Sequence, residues 1–220
     1  MSEHPQLTVY EDGVARRIDC SNVIFILVSD IGTDRMLKMI MSYPHRQDIP
    51  QAVLVSLVKD ALDDQWKRLQ FGKLVNEVVP FLPLNVQHIT DIILKKVEKM
   101  NTDFQEKYWK SLRVTTQVAD VLANSRYVKY IKHQAVTEGK TAIKVFAKYG
   151  ARNVENSGPL QRLRSLFFKT LRPWNVHADI FVRVEETTGE IVITSCYDRP
   201  SETMPGMEDM MCDTIWTGVL

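Results

Sequence analysis

The sequence predicts an α/β protein in which the end of a parallel-sheet core precedes a mostly helical region that closes with a β-hairpin. Three observations predict it. Residues 23–28 are continuously apolar, too short for a helix and rich in β-branched side chains, as in a strand buried on both faces. Several segments after residue 50 repeat apolar residues at helical spacing. Residues 178–184 and 191–196 flank the turn signal Thr187, Thr188, Gly189 and Glu190.

The elements follow in order. Residues 7–10 read as a short strand entering a turn at Asp12 and Gly13, a pair that favours tight hairpin turns. Ser29, Asp30, Ile31 and Gly32 end the apolar strand with turn and cap chemistry at its C-terminal edge, where open α/β sheets bind ligands. Pro50 suits a first helical turn, and Val53, Leu54, Leu57, Val58, Ala61, Leu62 and Leu69 form the stripe behind it. Residues 75–84, interrupted by Pro80 and Pro83, read as an extended connection. Asn85 then caps a helix with Ile89, Ile92, Ile93, Val97 and Met100 inward. Thr115 or Thr116 opens a third helix around Val118, Val121 and Leu122. A further helix is expected over 141–148, ending at Gly150, and another after Pro159 with Leu160, Leu163, Leu166, Phe167 and Leu171. The expected organisation is a unit over 1–82, a second over 83–199 and an acidic, weakly ordered tail over 200–220.

Composition excludes little. The 220 residues are 45% hydrophobic and 25% charged with a net charge of +1, so overall charge forces no partner on the chain. Local charge is uneven. Residues 126–172 hold eleven Lys or Arg against Glu138 and Glu155, whereas only Glu202, Glu208, Asp209 and Asp213 are charged after Arg199. The basic stretch reads either as a solvated helical face or as a surface for an anion: phosphate, nucleic acid or an acidic partner. No run reaches the roughly 18–20 apolar residues of a membrane span. Cys20, Cys196 and Cys212 are widely spaced and form no CxxC pair, which reads as reduced thiols in a cytoplasmic-type compartment, an organelle being left open. The five histidines show no metal-binding spacing, so no metal site is expected.

One resemblance organises these pieces. Asp12 and Gly13 at the turn, Asn22, Ile24 and Ile26 along the strand, and Ser29, Asp30 and Gly32 beyond it resemble the Clp-type AAA+ segment that ends at the first nucleotide sensor. Val79, Pro80, Phe81, Leu82, Pro83 and Leu84, with His88 and Ile89, resemble the junction to the small domain in its torsin form. Tyr149, Gly150, Ala151 and Arg152 resemble the Clp Y-G-A-R motif, whose arginine is the second sensor. The resemblance spans residues 7–196 in the family's order. It implies the C-terminal part of a Clp-like or torsin-like AAA+ ATPase: 1–82 the end of the large α/β subdomain, 83–199 the small lid domain.

The resemblance also carries a set of chemical expectations. Asp30 would stand at the first-sensor position, Arg152 would reach the nucleotide phosphate, and adenine would lie against Ile89 and Ile93. The parent would use ATP and Mg, assemble with other AAA+ subunits and remodel protein substrates, as chaperones of this kind do. This stretch would not be a complete ATPase, because the Walker A loop and the Walker B acidic pair belong upstream of residue 7. The departures are specific. The family has Asn where Asp30 stands, and a carboxylate there repels phosphate. The arginine-finger segment is replaced by Gly72, Lys73, Leu74, Val75, Asn76 and Glu77, without an arginine. Six residues separate Arg152 from Pro159 where the Clp pattern has none. Residues 134–141 imitate a P-loop, but Gln134 replaces the first glycine that lets the backbone curl around phosphate. The alternatives are a degenerate AAA+ relative serving as a scaffold, and a nucleic-acid-binding module using residues 126–172.

Overall fold

The structure is a computed structural model that describes residues 6–137, 140–171, 177–200 and 208–220. It is a mixed α/β protein with one four-stranded sheet and two separate two-stranded hairpins.

The chain opens with β1 (Gln6–Glu11) and β2 (Val14–Asp19), antiparallel in full register. Asp12 and Gly13 both take positive φ, 51° and 79°, as the two-residue turn requires. Both strands are exposed along their whole length. Beyond them, residues 23–28 form no strand and are exposed, Val28 by 91% and Ile24 by 87%. The expected parallel-sheet core is therefore corrected. A strand buried on both faces needs paired neighbours and covering helices, and no described element lies against this segment to supply them.

Gly32 starts α1 (Thr33–Ser42) with φ 85°, and a Cβ there would stand 3.3 Å from the Ala61 Cβ of α2 (Gln51–Gln65). A glycine thus lets the two helices meet. After the short α3 (Phe71–Leu74), residues 75–84 form neither helix nor strand.

The longest helix, α4 (Val86–Phe104), begins with a complete capping box. The Asn85 side chain accepts from the His88 amide at 3.0 Å, and the Asn85 amide donates to His88 Nδ1 at 3.2 Å. The inward face, Ile89, Ile93, Val97 and Met100, packs with α5 (Thr116–Ala123) and α7 (Pro159–Thr170) against one sheet. Thr90, fully buried on α4, donates to Asp120 of α5 at 2.9 Å. Asn101 Oδ1 accepts from Trp109 Nε1 and from the Leu112 amide, which fixes the loop after α4.

That sheet comprises β3 (Ser111–Val114), β6 (Asp179–Val184), β7 (Ile191–Pro200) and β8 (Glu208–Gly218), in the order β3-β6-β7-β8. The β3–β6 pair is parallel and the other two are antiparallel. The hairpin read from Thr187 to Glu190 is β6–β7. Two expectations are corrected at this edge. Residues 208–218 form the longest strand instead of a loose tail, while 201–207 lie outside the described residues. Cys196 and Cys212 are opposed in the β7–β8 register and form a disulfide, so only Cys20 is a free thiol, and it is buried.

Between α5 and α7 lies a second hairpin, β4 (Tyr130–Thr137) and β5 (Lys140–Ala147), followed by the four-residue α6 (Arg152–Glu155). The helix expected over 141–148 is thus a strand. Ala142, Lys144 and Phe146 alternate onto the α1 side, a period of two that outweighs the weak helical pattern. Phe146 completes a smaller core with Met36, Ile40, Met41, Ile49 and Leu54. The change of core falls at the prolines, with Leu82 packed on the small cluster and Leu84 on the large one. Among the described residues, no helix is long and apolar enough to cross a membrane.

Candidate functional site

The residues nominated from sequence are not gathered into one site. Asp30 is exposed; its carbonyl accepts from the Thr33 amide at 3.1 Å and from the Thr33 hydroxyl at 2.6 Å, closing the turn into α1. Arg152 is exposed at the start of α6. The inserted residues explain its setting. They end α6 after a single turn, Ser157 takes φ 60°, and Gly158 packs so tightly that a Cβ would meet the Asn153 carbonyl oxygen. Arg152 therefore leads a four-residue helix, tied to α4 by the Lys96–Glu155 ion pair at 2.7 Å, instead of heading α7. Ile89 and Ile93 are fully buried in the main core, so neither offers a surface to a base.

The P-loop imitation also resolves structurally. Residues 134–137 and 140–141 lie in paired antiparallel strands, whereas a phosphate-cradling loop joins a strand to a helix N-terminus. Residues 138–139 lie outside the described residues.

The described part of the basic stretch is dispersed over β4, β5, α6, α7 and the loops beside them, and Arg172 lies outside the described residues. Its aromatic residues divide between core and surface. Phe146 and Phe167 are buried, and the Tyr130 hydroxyl donates to the Ala123 carbonyl at 2.8 Å. Arg162 lies 4.1 Å above the Tyr127 ring, and Arg164 sits over Phe104 and Phe168. These are packed cation–π pairs on the helical face.

Sequence reasoning missed a pocket of about 790 Å³ at the junction. It is bounded by the end of α1, the start of α2, residues 82–88 and β5. Besides the exposed His45, three basic groups line it and define its polarity. Arg46 Nη1 and Nη2 donate to the carbonyls of Pro83 and Leu82 at 3.0 and 3.4 Å. Lys144 Nζ donates to the carbonyls of Ile40 and Tyr43 at 2.6 and 2.5 Å, closing the C-terminal end of α1, where a cation is favoured. His88 accepts at Nδ1, which places the neutral ring's proton on Nε2. Burial lowers the pKa of all three, and the Arg46 charge lowers that of His88 further, while Asp91 acts in the opposite direction. None of the lining residues is Asp or Glu; Pro44, Leu82 and Ile143 present apolar surface to the pocket, backed by the buried Ile40, Leu54 and Phe146. The signal in the sequence was faint, because these groups come from segments about 100 residues apart.

Among the described residues, no three His, Cys, Asp or Glu side chains are grouped to hold a metal ion. No family model matches this sequence, and no curated protein matches it.

Proposed function

We propose that the chain is the nucleotide-sensing and lid part of an ATP-dependent protein-remodelling chaperone of the Clp or torsin type, with ATP and Mg held chiefly by sequence outside it. The observation that carries this reading is the contrast between a large helix-and-sheet core built wholly from residue 84 onward and an exposed apolar segment at 23–28 that forms no strand. A lid domain must fold around its own core to act as a lever, whereas an apolar segment that belongs to a motor sheet stays unpaired and exposed without its neighbours. The order α4, β3, α5, α7 and the β6–β7 hairpin supports it, since a Clp small domain would carry a hairpin after its helices, while β4, β5, α6 and the edge strand β8 are additions to that pattern.

A second reading has its own support. Asp30 and Arg152 are both exposed and no described interaction joins them. That favours a degenerate AAA+ relative acting as a non-catalytic partner or scaffold.

A phosphate-release assay on the purified chain tests the incompleteness. No turnover above background is expected, and turnover abolished by Lys140→Ala would overturn the proposal. Reading the gene upstream of residue 1 separates the two versions. A GxxxxGK[ST] motif followed by an acidic pair supports the motor; an upstream sequence lacking both supports the scaffold.

A further inference from the structure

We infer that the junction pocket binds a small organic anion, its charged head on Arg46, Lys144 and His88 and its apolar body on Pro44, Leu82 and Ile143. The inference does not rest on the lid assignment, because none of Asp30, Arg152, Ile89 or Ile93 lines the pocket.

Donor capacity makes the case. A guanidinium carries five N–H groups and an ammonium three. Arg46 gives two to carbonyls and Lys144 gives two, so three and one remain. Carbonyl oxygens solvate these cations without neutralising them, and no carboxylate lines the cavity. Two positive charges therefore stand in a concave, partly desolvated site, where attraction for an anion exceeds that at an open surface. A bare inorganic ion is not the best fit, since it would leave the exposed or half-buried apolar surface of Pro44, Leu82 and Ile143 in water. The volume lies in the range of small-molecule sites, about 300–1,000 Å³.

Removing Arg46, Lys144 or His88 would disturb the backbone each one holds, so the test alters charge at Gln51. This exposed residue lines the pocket at the first position of α2, where Glu suits the helix. Thermal unfolding of the whole chain is followed against AMP and octanoate, which separate a phosphate head from a carboxylate head, with inorganic phosphate and adenosine as controls. A saturable rise in midpoint with at least one organic anion is expected, exceeding that of either control. Gln51→Glu should weaken its apparent affinity about fivefold, the order of effect of one charge a few ångström away, and Gln51→Lys should strengthen it. No saturable rise with either anion, a rise matched by a control, or equal affinity in both variants would overturn the inference.

Discussion

Residues 6–31 are richer in apolar and β-branched side chains than residues 84–220, yet it is the later region that buries them. In the later region Ile180, Val182, Ile191 and Ile193 are sealed between helices and paired strands. In the earlier one Ile24, Phe25, Ile26 and Val28 are all more than 70% exposed. Apolarity alone does not bury a strand. Burial needs partners for the backbone and a surface for the side chains, and the two regions differ in those. The small core of α1, α2 and Phe146 lies between these extremes. It is closed by a hairpin that enters the chain about 100 residues later, and Lys144 fastens that hairpin to α1.

Truncating one aromatic residue in each region gives the largest contrast. Trp109 is fully buried and its indole N–H is bonded to Asn101, so Trp109→Ala should cost about 3–5 kcal/mol of stability. Phe25 is 72% exposed, and Phe25→Ala should change stability by no more than about 0.5 kcal/mol. Urea unfolding followed by far-UV circular dichroism measures both. A large loss at Phe25 would mean that residues 23–28 are packed in solution, and the contrast would fail.

The contrast also explains what could be read in advance. The Asn85 cap, the Pro159 helix start, the Asp12–Gly13 turn and the β6–β7 hairpin were legible because local chemistry determines each of them. Residues 141–147 were not, because their strand exists through pairing with β4 and packing on α1. Residues 208–213 combine acidic residues and methionines with no β-branched or aromatic side chain; their register against β7 makes them a strand. The Cys196–Cys212 bond follows from that register and from nothing in the spacing. The pocket was hidden for the same reason, since Arg46, His88 and Lys144 come together only through tertiary packing.

The β8 edge carries the intermediate effect. The disulfide closes a loop of 16 residues, and in the chain-entropy account such a link restricts the unfolded chain by about 3 kcal/mol. The hairpin β1–β2 has no such closure. The double variant Cys196→Ala, Cys212→Ala should lower stability by about 2–3 kcal/mol, and dithiothreitol should then have no further effect on it. Thermal scans with and without reductant supply the comparison. Equal midpoints for the reduced and oxidised parent protein would remove the covalent edge from the account.

The smallest expected effect concerns the boundary between the regions, where His88 both completes the α4 cap and lines the pocket. Its pKa is lowered from the usual 6.5, first by burial and then by the Arg46 charge, with Asp91 opposing. The unfolded chain therefore binds the proton more readily than the folded one. Stability from this group is complete above pH 6.5 and declines as pH falls from there through the lowered folded value. Protonation would also oblige Nδ1 to donate, which breaks its acceptance from the Asn85 amide and opens half of the capping box. Gln at this position keeps a side chain that can accept from Asn85 but does not titrate. His88→Gln should accordingly flatten the stability profile between pH 7 and 5 while changing the pH 7 value little. Urea midpoints collected across that range for both proteins decide the matter. Parallel profiles would assign the acid sensitivity to other groups, whereas a flattened one with α4 intact would place the pH-sensitive link at the junction.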